Sequence, residues 1–179
     1  MDLRTQKTEK TITDAFLSLR ARKPLEKITV RELCTQAQIN RSTFYDNYRD
    51  VYDLADRLEE QAVQEILAAI PHPEAALQDT ARFTRELFTA FAPRSQRLNV
   101  LFSGSRSGLL ITRIAAALKE MIFRQHPELE QDPVFQISLT FRIYGGYYTY
   151  LENRRYGEQL VVETISRLTA PDALSLIHI

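Results

Sequence analysis

The residues best suited to chemistry stand in one run, Asn40-Arg41-Ser42-Thr43-Phe44-Tyr45-Asp46-Asn47-Tyr48-Arg49. Phe44 and Tyr48 lie four apart, which gives a short helix one apolar edge. Arg41, Ser42, Thr43, Tyr45 and Asn47 are then left on the outward face, with Arg49 just beyond. This is a guanidinium, hydroxyl and amide set, able to donate to base edges and phosphate oxygens and to touch thymine methyls. Thr29 and Arg31 lie upstream on a second element. Arg31 reads equally as a surface charge or a phosphate contact. Tyr45 could cover the core, but Phe44 and Tyr48 already fill the inward face, which favours an exposed phosphate-contacting role.

No other constellation competes. His72 stands between Pro71 and Pro73, His126 precedes Pro127, and no His/Asp/Glu cluster has metal-ligand spacing. No metal and no cofactor are expected. Ser103-Gly104-Ser105 beside Arg106 has nothing strand-like before it and reads as a linker rather than a phosphate loop. The single cysteine, Cys34, excludes a disulfide framework and a multi-cysteine zinc site, and reads as a small buried apolar residue. No nucleophile–base pair stands out, so an enzyme is not expected.

The elements that must position the donor run are short. Thr29 can N-cap a helix with Glu32 at its third position, the reciprocal capping-box arrangement. Val30, Leu33, Cys34 and Ala37 are that helix's apolar stripe. Ala37-Gln38-Ile39 reads as a tight turn with Ile39 inward, and Asn40 as the N-cap of a second helix from Arg41 to about Tyr48. Two short helices joined by so short a turn predict a helix-turn-helix.

Five glycines and seven prolines in 179 residues argue for helices rather than a turn-rich β fold. The prolines divide the chain into an opening element, then 25–70, 74–92, 94–126 and 134–170. Within these blocks apolar residues recur at three and four, as in Ile12-Phe16-Leu19 and Ile137-Phe141-Tyr144-Tyr148, and the chain reads as all-α. Residues 50–70 predict a connecting helix with Leu54, Leu58, Ala62, Ile66 and Ile70 repeating at four. The last block predicts helices over 134–155 and about 158–169, separated near Tyr156-Gly157. Gly145-Gly146 inside the first costs roughly 1 kcal/mol each relative to Ala, so a close helix approach or a kink is expected there. No run of about 18 apolar residues occurs and the N-terminus is polar, so no membrane span and a cytoplasmic location are expected.

Charge sharpens the picture. Lys+Arg and Asp+Glu both number 23, which at first sight argues against nucleic acid. Residues 1–49, however, hold ten Lys/Arg against six Asp/Glu, a net of +4, and the remainder carries −4. Neutrality is a cancellation between a basic head and an acidic body.

The run Ile28-Thr29-Val30 … Ala37-Gln38-Ile39-Asn40-Arg41-Ser42-Thr43-Phe44-Tyr45 … Tyr48 … Leu54 resembles the DNA-binding domain of TetR/AcrR-type bacterial transcriptional regulators, and Ile12, Ala15 and Phe16 fit that family's first helix. The resemblance covers roughly residues 5–55. It implies an N-terminal three-helix helix-turn-helix domain over 1–49, the connecting helix over 50–70, and an antiparallel helical ligand-binding and dimerisation bundle over 71–173. It further implies a homodimer on a pseudo-palindromic double-stranded DNA operator, most often as a repressor released by a small-molecule effector. On this reading Thr29, Arg31, Arg41, Ser42, Thr43, Tyr45, Asn47 and Arg49 are the DNA-binding residues. The candidate effector pocket is Phe83, Phe88, Phe102, Phe141, Tyr144 and Tyr148. The candidate dimer interface is Ile143, Tyr147, Tyr150, Leu151, Val161, Ile165 and Leu168. Two positions depart from the family: Gln38 stands at a turn position usually held by Gly, and Val51 at a helix start that often carries a phosphate-contacting Lys. The second departure motivates a rival expectation, a regulator-like dimer without autonomous DNA binding that acts as a coactivator through a protein partner. Finally, Leu174-Ser175-Leu176-Ile177-His178-Ile179 is the translation of CTG-TCT-CTT-ATA-CAC-ATC, a transposon end used to fragment DNA for sequencing, so 174–179 is expected to be a non-native tail.

Overall fold

The computed structural model describes residues 3–170, and among these every regular element is helical. In chain order they are α1 (Leu3–Arg20), α2 (Val30–Ala37), α3 (Arg41–Tyr45), α4 (Val51–Ala68), α5 (Ala75–Gln78), α6 (Thr80–Phe91), α7 (Ser95–Leu101), α8 (Leu109–Gln125), α9 (Pro133–Asn153) and α10 (Glu158–Thr169), with single 3-10 turns between several of them. The all-α expectation holds. The expectation about 174–179 lies outside the described residues, as does Pro171.

Local chemistry explains most of the boundaries. The described prolines fall at helix ends or between helices, where a missing N–H costs least. Asp132 starts α9 by accepting the Val134 and Phe135 N–H groups, with Pro133 in the first turn. Gly157, at φ +94°, separates α9 from α10. One break was not expected. The block 74–92 is divided by Asp79, whose carboxylate accepts the Arg82 N–H at 2.9 Å and caps α6. The block 94–126 is divided between α7 and α8 at the segment read as a linker, where Gly104 takes φ +56°.

The chain forms two compact units. The first comprises the residues up to Ala62 together with Ser95–Leu110. Ile12, Phe16, Leu33, Phe44, Leu54, Leu98 and Leu101 are almost wholly buried and form its core. The segment from α7 to Arg106 belongs here because polar bonds join the apolar contacts. Arg20, itself buried, donates to the Ser103 carbonyl at 2.7 Å, and Ser105 donates to Glu26. Arg106 donates through Nε and Nη2 to the two oxygens of Glu59, at 2.8 and 2.6 Å, and also pairs with Asp56. Glu59 has no exposed surface, so its charge depends on such partners. The sequence reading as a linker gave Arg106 no part in this.

The second unit comprises Val63–Arg94 together with the described residues from Ile111 onward. Here α10 packs on α6 and on α9. Tyr150, Val161 and Ile165 are buried, with Phe88, Phe91, Leu151 and Val162 packed against them. Thr80 donates to the Thr169 carbonyl at 2.8 Å and ties α6 to the end of α10. The division between the units falls inside α4, not at its ends.

Candidate nucleic-acid interface and cavity

Capping begins at Thr29, whose hydroxyl accepts the Glu32 N–H at 3.2 Å. The reciprocal half of the capping box is not made, because the Glu32 carboxylate turns to Lys23 instead. α2 ends at Gln38, at φ 54° and ψ 44°, and the Gln38 N–H bonds back to the Thr35 carbonyl. Among the described residues Gln38 is the one non-glycine with positive φ. A residue with a Cβ thus holds a left-handed turn that glycine would adopt without strain. Asn40 occupies the N-cap position of α3 by backbone geometry, but its side chain makes no capping bond.

The helix α3 is shorter than expected, closing at Tyr45 and continuing as a turn to Tyr48. The Tyr48 N–H still bonds the Phe44 carbonyl at 2.9 Å, so the inward pair Phe44 and Tyr48 stays in register. Both are buried, with ring centroids 5.7 Å apart. Burial pushes the Tyr48 phenol up, and the Arg57 guanidinium lies 5.3 Å over its ring.

On the other side Thr29, Arg31, Arg41, Ser42, Tyr45 and Arg49 are exposed. Tyr45 is 56% exposed, with its ring edge-on to Phe44 at 5.5 Å. The side chains of Arg31, Arg41, Ser42 and Tyr45 make no hydrogen bond or ion pair among the described residues, so their donors are available. Thr43 and Asn47 are half-buried. Asn47 is the correction to the outward set: its Nδ2 donates to the Thr43 carbonyl at 2.8 Å, which closes the end of α3 rather than leaving the amide free.

The start of α4 explains Val51. Asp50 caps the helix by accepting the Asp53 N–H at 2.8 Å, while Asp53 accepts the Arg49 N–H at 3.0 Å. Asp53 also meets the Arg49 and Arg57 guanidiniums, each at 3.1 Å. These bonds, the Arg49 N–H foremost, hold the Asp53 carboxyl below the usual range. Val51 is buried in the core of the unit. The exposed cation at this helix start is Arg49, whose side chain is 85% exposed.

The second unit holds a cavity of about 340 Å³ between residues of α5, α6, α8, α9 and α10. Phe83 and Phe88 line it. The other four candidate pocket residues do not. Phe102 is buried in the first unit, Phe141 and Tyr148 are exposed, and Tyr144 is half-buried away from the cavity wall. The candidate interface residues take the inner positions instead. Ile143, Tyr147, Tyr150 and Ile165 line the cavity, Val161 and Leu151 belong to the cluster beside it, and of that set only Leu168 is exposed. Two residues along a helix amount to a turn of about 200°, so Phe141 and Ile143 must face opposite ways. The α9 residues expected at an interface therefore line the cavity, and those expected in the pocket lie off its wall. Ile137, Phe141 and Tyr148 form an exposed stripe on α9, accompanied on α10 by Leu160 and Leu168.

Sequence reasoning missed Ser138 and Arg142, which also line the cavity. A signal was present: Arg142 is the one charged residue between Val134 and Leu151. Among the described residues no group of His, Cys, Asp and Glu has the arrangement of a metal site, and no helix is long and apolar enough to cross a membrane.

Comparison with protein-family models, with curated proteins and with solved structures finds no match to this chain.

Proposed function

We propose that the chain is a sequence-specific DNA-binding transcriptional regulator of the TetR/AcrR type, acting as a ligand-responsive repressor. The observation that carries the reading is the exposed donor set of Arg41, Ser42 and Tyr45 on α3, with Arg31 exposed on α2. Its side chains are uncommitted, and its backbone is held by the Thr29 cap and the left-handed Gln38 turn. It lies within the basic part of the chain. Residues 41–48 enter the major groove as the recognition element, while Thr29, Tyr45 and Arg49 contact phosphate. One such head offers few base contacts, so the protein binds a pseudo-palindrome as a homodimer. The exposed Ile137, Phe141 and Tyr148 on α9 and the exposed Leu160 and Leu168 on α10 support that partner, since large apolar side chains left on helix surfaces call for a cover. The cavity is the effector site, and its ligand acts by differential affinity for the DNA-competent and DNA-incompetent states.

The test is selection of bound sequences from a random duplex pool by purified protein, followed by anisotropy at several salt concentrations. A selected two-fold-symmetric site with salt-weakened affinity is expected. Retention of no sequence at low salt overturns the proposal. A second reading, a coactivator working through a protein partner, is favoured by the buried Val51 at the α4 start, where no Lys is available to grip phosphate. A gel shift with the purified protein alone separates them, because the coactivator shifts no duplex.

A further inference from the structure

We infer that the cavity of the second unit takes an apolar organic acid, a single carboxylate on an aromatic or hydrocarbon body, with Arg142 as the charge partner and Ser138 as a second donor. This deepens the effector reading and rests on it for its regulatory meaning; the binding chemistry stands on the cavity alone.

The wall's polar groups can be accounted for one by one. Thr80 donates to the Thr169 carbonyl, Thr84 to the Thr80 carbonyl, and Thr169 to the Ser166 carbonyl. Tyr150 donates to Glu158 at 3.4 Å. Asp132 accepts the two N–H groups at the start of α9 through Oδ1 and donates nothing. What remains is Ser138, Arg142 and Tyr147, whose side chains make no hydrogen bond or ion pair among the described residues. All three are donors, and one is a permanent cation. Burial pushes the Tyr147 phenol up, which keeps its proton in place at neutral pH.

The placement of two of them suits one anionic group. Ser138 and Arg142 are one turn apart on the same face of α9, while Tyr147 lies about 7.5 Å further along the axis and stands apart from them. Asp132, the one carboxylate in the wall, is ten residues from Arg142 on the same helix, about 15 Å of rise. It therefore neither neutralises the guanidinium nor offers an amine a site beside it. A dianionic phosphate would need a second cation, and Arg142 is the one cation in the wall. The rest is apolar, with Phe83, Phe88, Phe91 and Phe135 against Ile114 and Leu118, and it gives a sugar or peptide nothing to bond. The cavity sits at the lower end of the range of about 300–1,000 Å³ usual for small-molecule sites, which sets a compact ligand.

The experiment is calorimetric titration of the full chain, without DNA, using 2-naphthoate, 2-naphthylmethanol and 2-naphthylmethylamine as probes of one shape and three charges. The acid is expected to bind at least about tenfold more tightly than the alcohol, and the amine weakest, because hydrogen bonds to a charged partner outweigh neutral ones. Arg142→Met is expected to lower acid affinity about tenfold or more while leaving the alcohol within about twofold, with Arg142→Lys intermediate. Melting of each variant checks that the unit remains folded, and the unchanged alcohol affinity reports an intact cavity. The inference is overturned if the alcohol or amine equals the acid, if Arg142→Met leaves acid binding unchanged, or if none of the three binds. Failure of the effector reading looks different: 2-naphthoate binds as stated but leaves duplex affinity unaltered.

Discussion

Arg106 in the first unit and Arg142 in the second are both drawn partly out of water, and they have opposite surroundings. Arg106 meets Glu59 and Asp56 and carries its proton more tightly than a free guanidinium, chiefly through the Glu59 bonds. Arg142 meets no acid and faces a cavity. The same contrast runs through the two units. In the first, the buried polar side chains Arg20, Asp53 and Glu59 are held by named partners, and the uncommitted donors point outward. In the second, a void is left inside, uncommitted donors point into it, and the outer face of α9 is apolar. A unit whose buried carboxylates are held by arginines within is built to present a fixed surface. A unit with an open charge within is built to be completed by something else.

The largest effect that would break or sharpen this contrast comes from giving both arginines the same substitution. Arg106→Met removes two donors from the buried Glu59 carboxylate and is expected to cost about 3–5 kcal/mol. Urea unfolding followed by circular dichroism measures it, and a loss under 1 kcal/mol would mean that the pair is not structural. Gly145→Ala is expected to stabilise the second unit by about 0.5–1 kcal/mol. The glycine is helical and an added methyl meets nothing within 4 Å. A rise in melting temperature is the readout, and a fall would show that this face of α9 needs close approach by a partner. Gln38→Gly relieves the left-handed strain but loosens the unfolded chain, for a net gain of about 0.5 kcal/mol in the same unfolding assay. Arg142→Met, with no partner to strand, is expected to change stability by no more than about 0.5 kcal/mol. A cost like that of Arg106→Met would show that the second unit holds its charge as the first does.

What could be read from the sequence was local. The helical content, the Thr29 cap, the Gly157 break, the separation of α9 from α10 and the Gln38 turn all follow from interactions spanning a few residues. So does the exposure of Arg41, Ser42 and Tyr45, because Phe44 and Tyr48 fix the opposite edge of α3. What could not be read was orientation against distant partners. α9 carries large apolar residues on opposite sides, so its periodicity does not say which face turns inward, and residues read as an interface line the cavity instead. Ser103–Arg106 resembled a linker because its partners, Arg20, Glu26 and Glu59, lie far away in sequence. Asn47 looked outward by position until its amide found the Thr43 carbonyl. The Asp79 cap was the exception, a local signal overlooked inside a longer apolar block.

The central claim, that the first unit's uncommitted arginines meet phosphate and base edges, is tested most directly by the salt dependence of duplex affinity. Wild type and Arg41→Ala are compared by anisotropy on the selected site between low and moderate salt. Log affinity is expected to fall linearly with log salt, and Arg41→Ala is expected to weaken binding by about 1–3 kcal/mol and relax its sequence preference, as loss of a base contact does. Salt-independent binding, or an Arg41→Ala protein with the wild-type affinity, would contradict the claim.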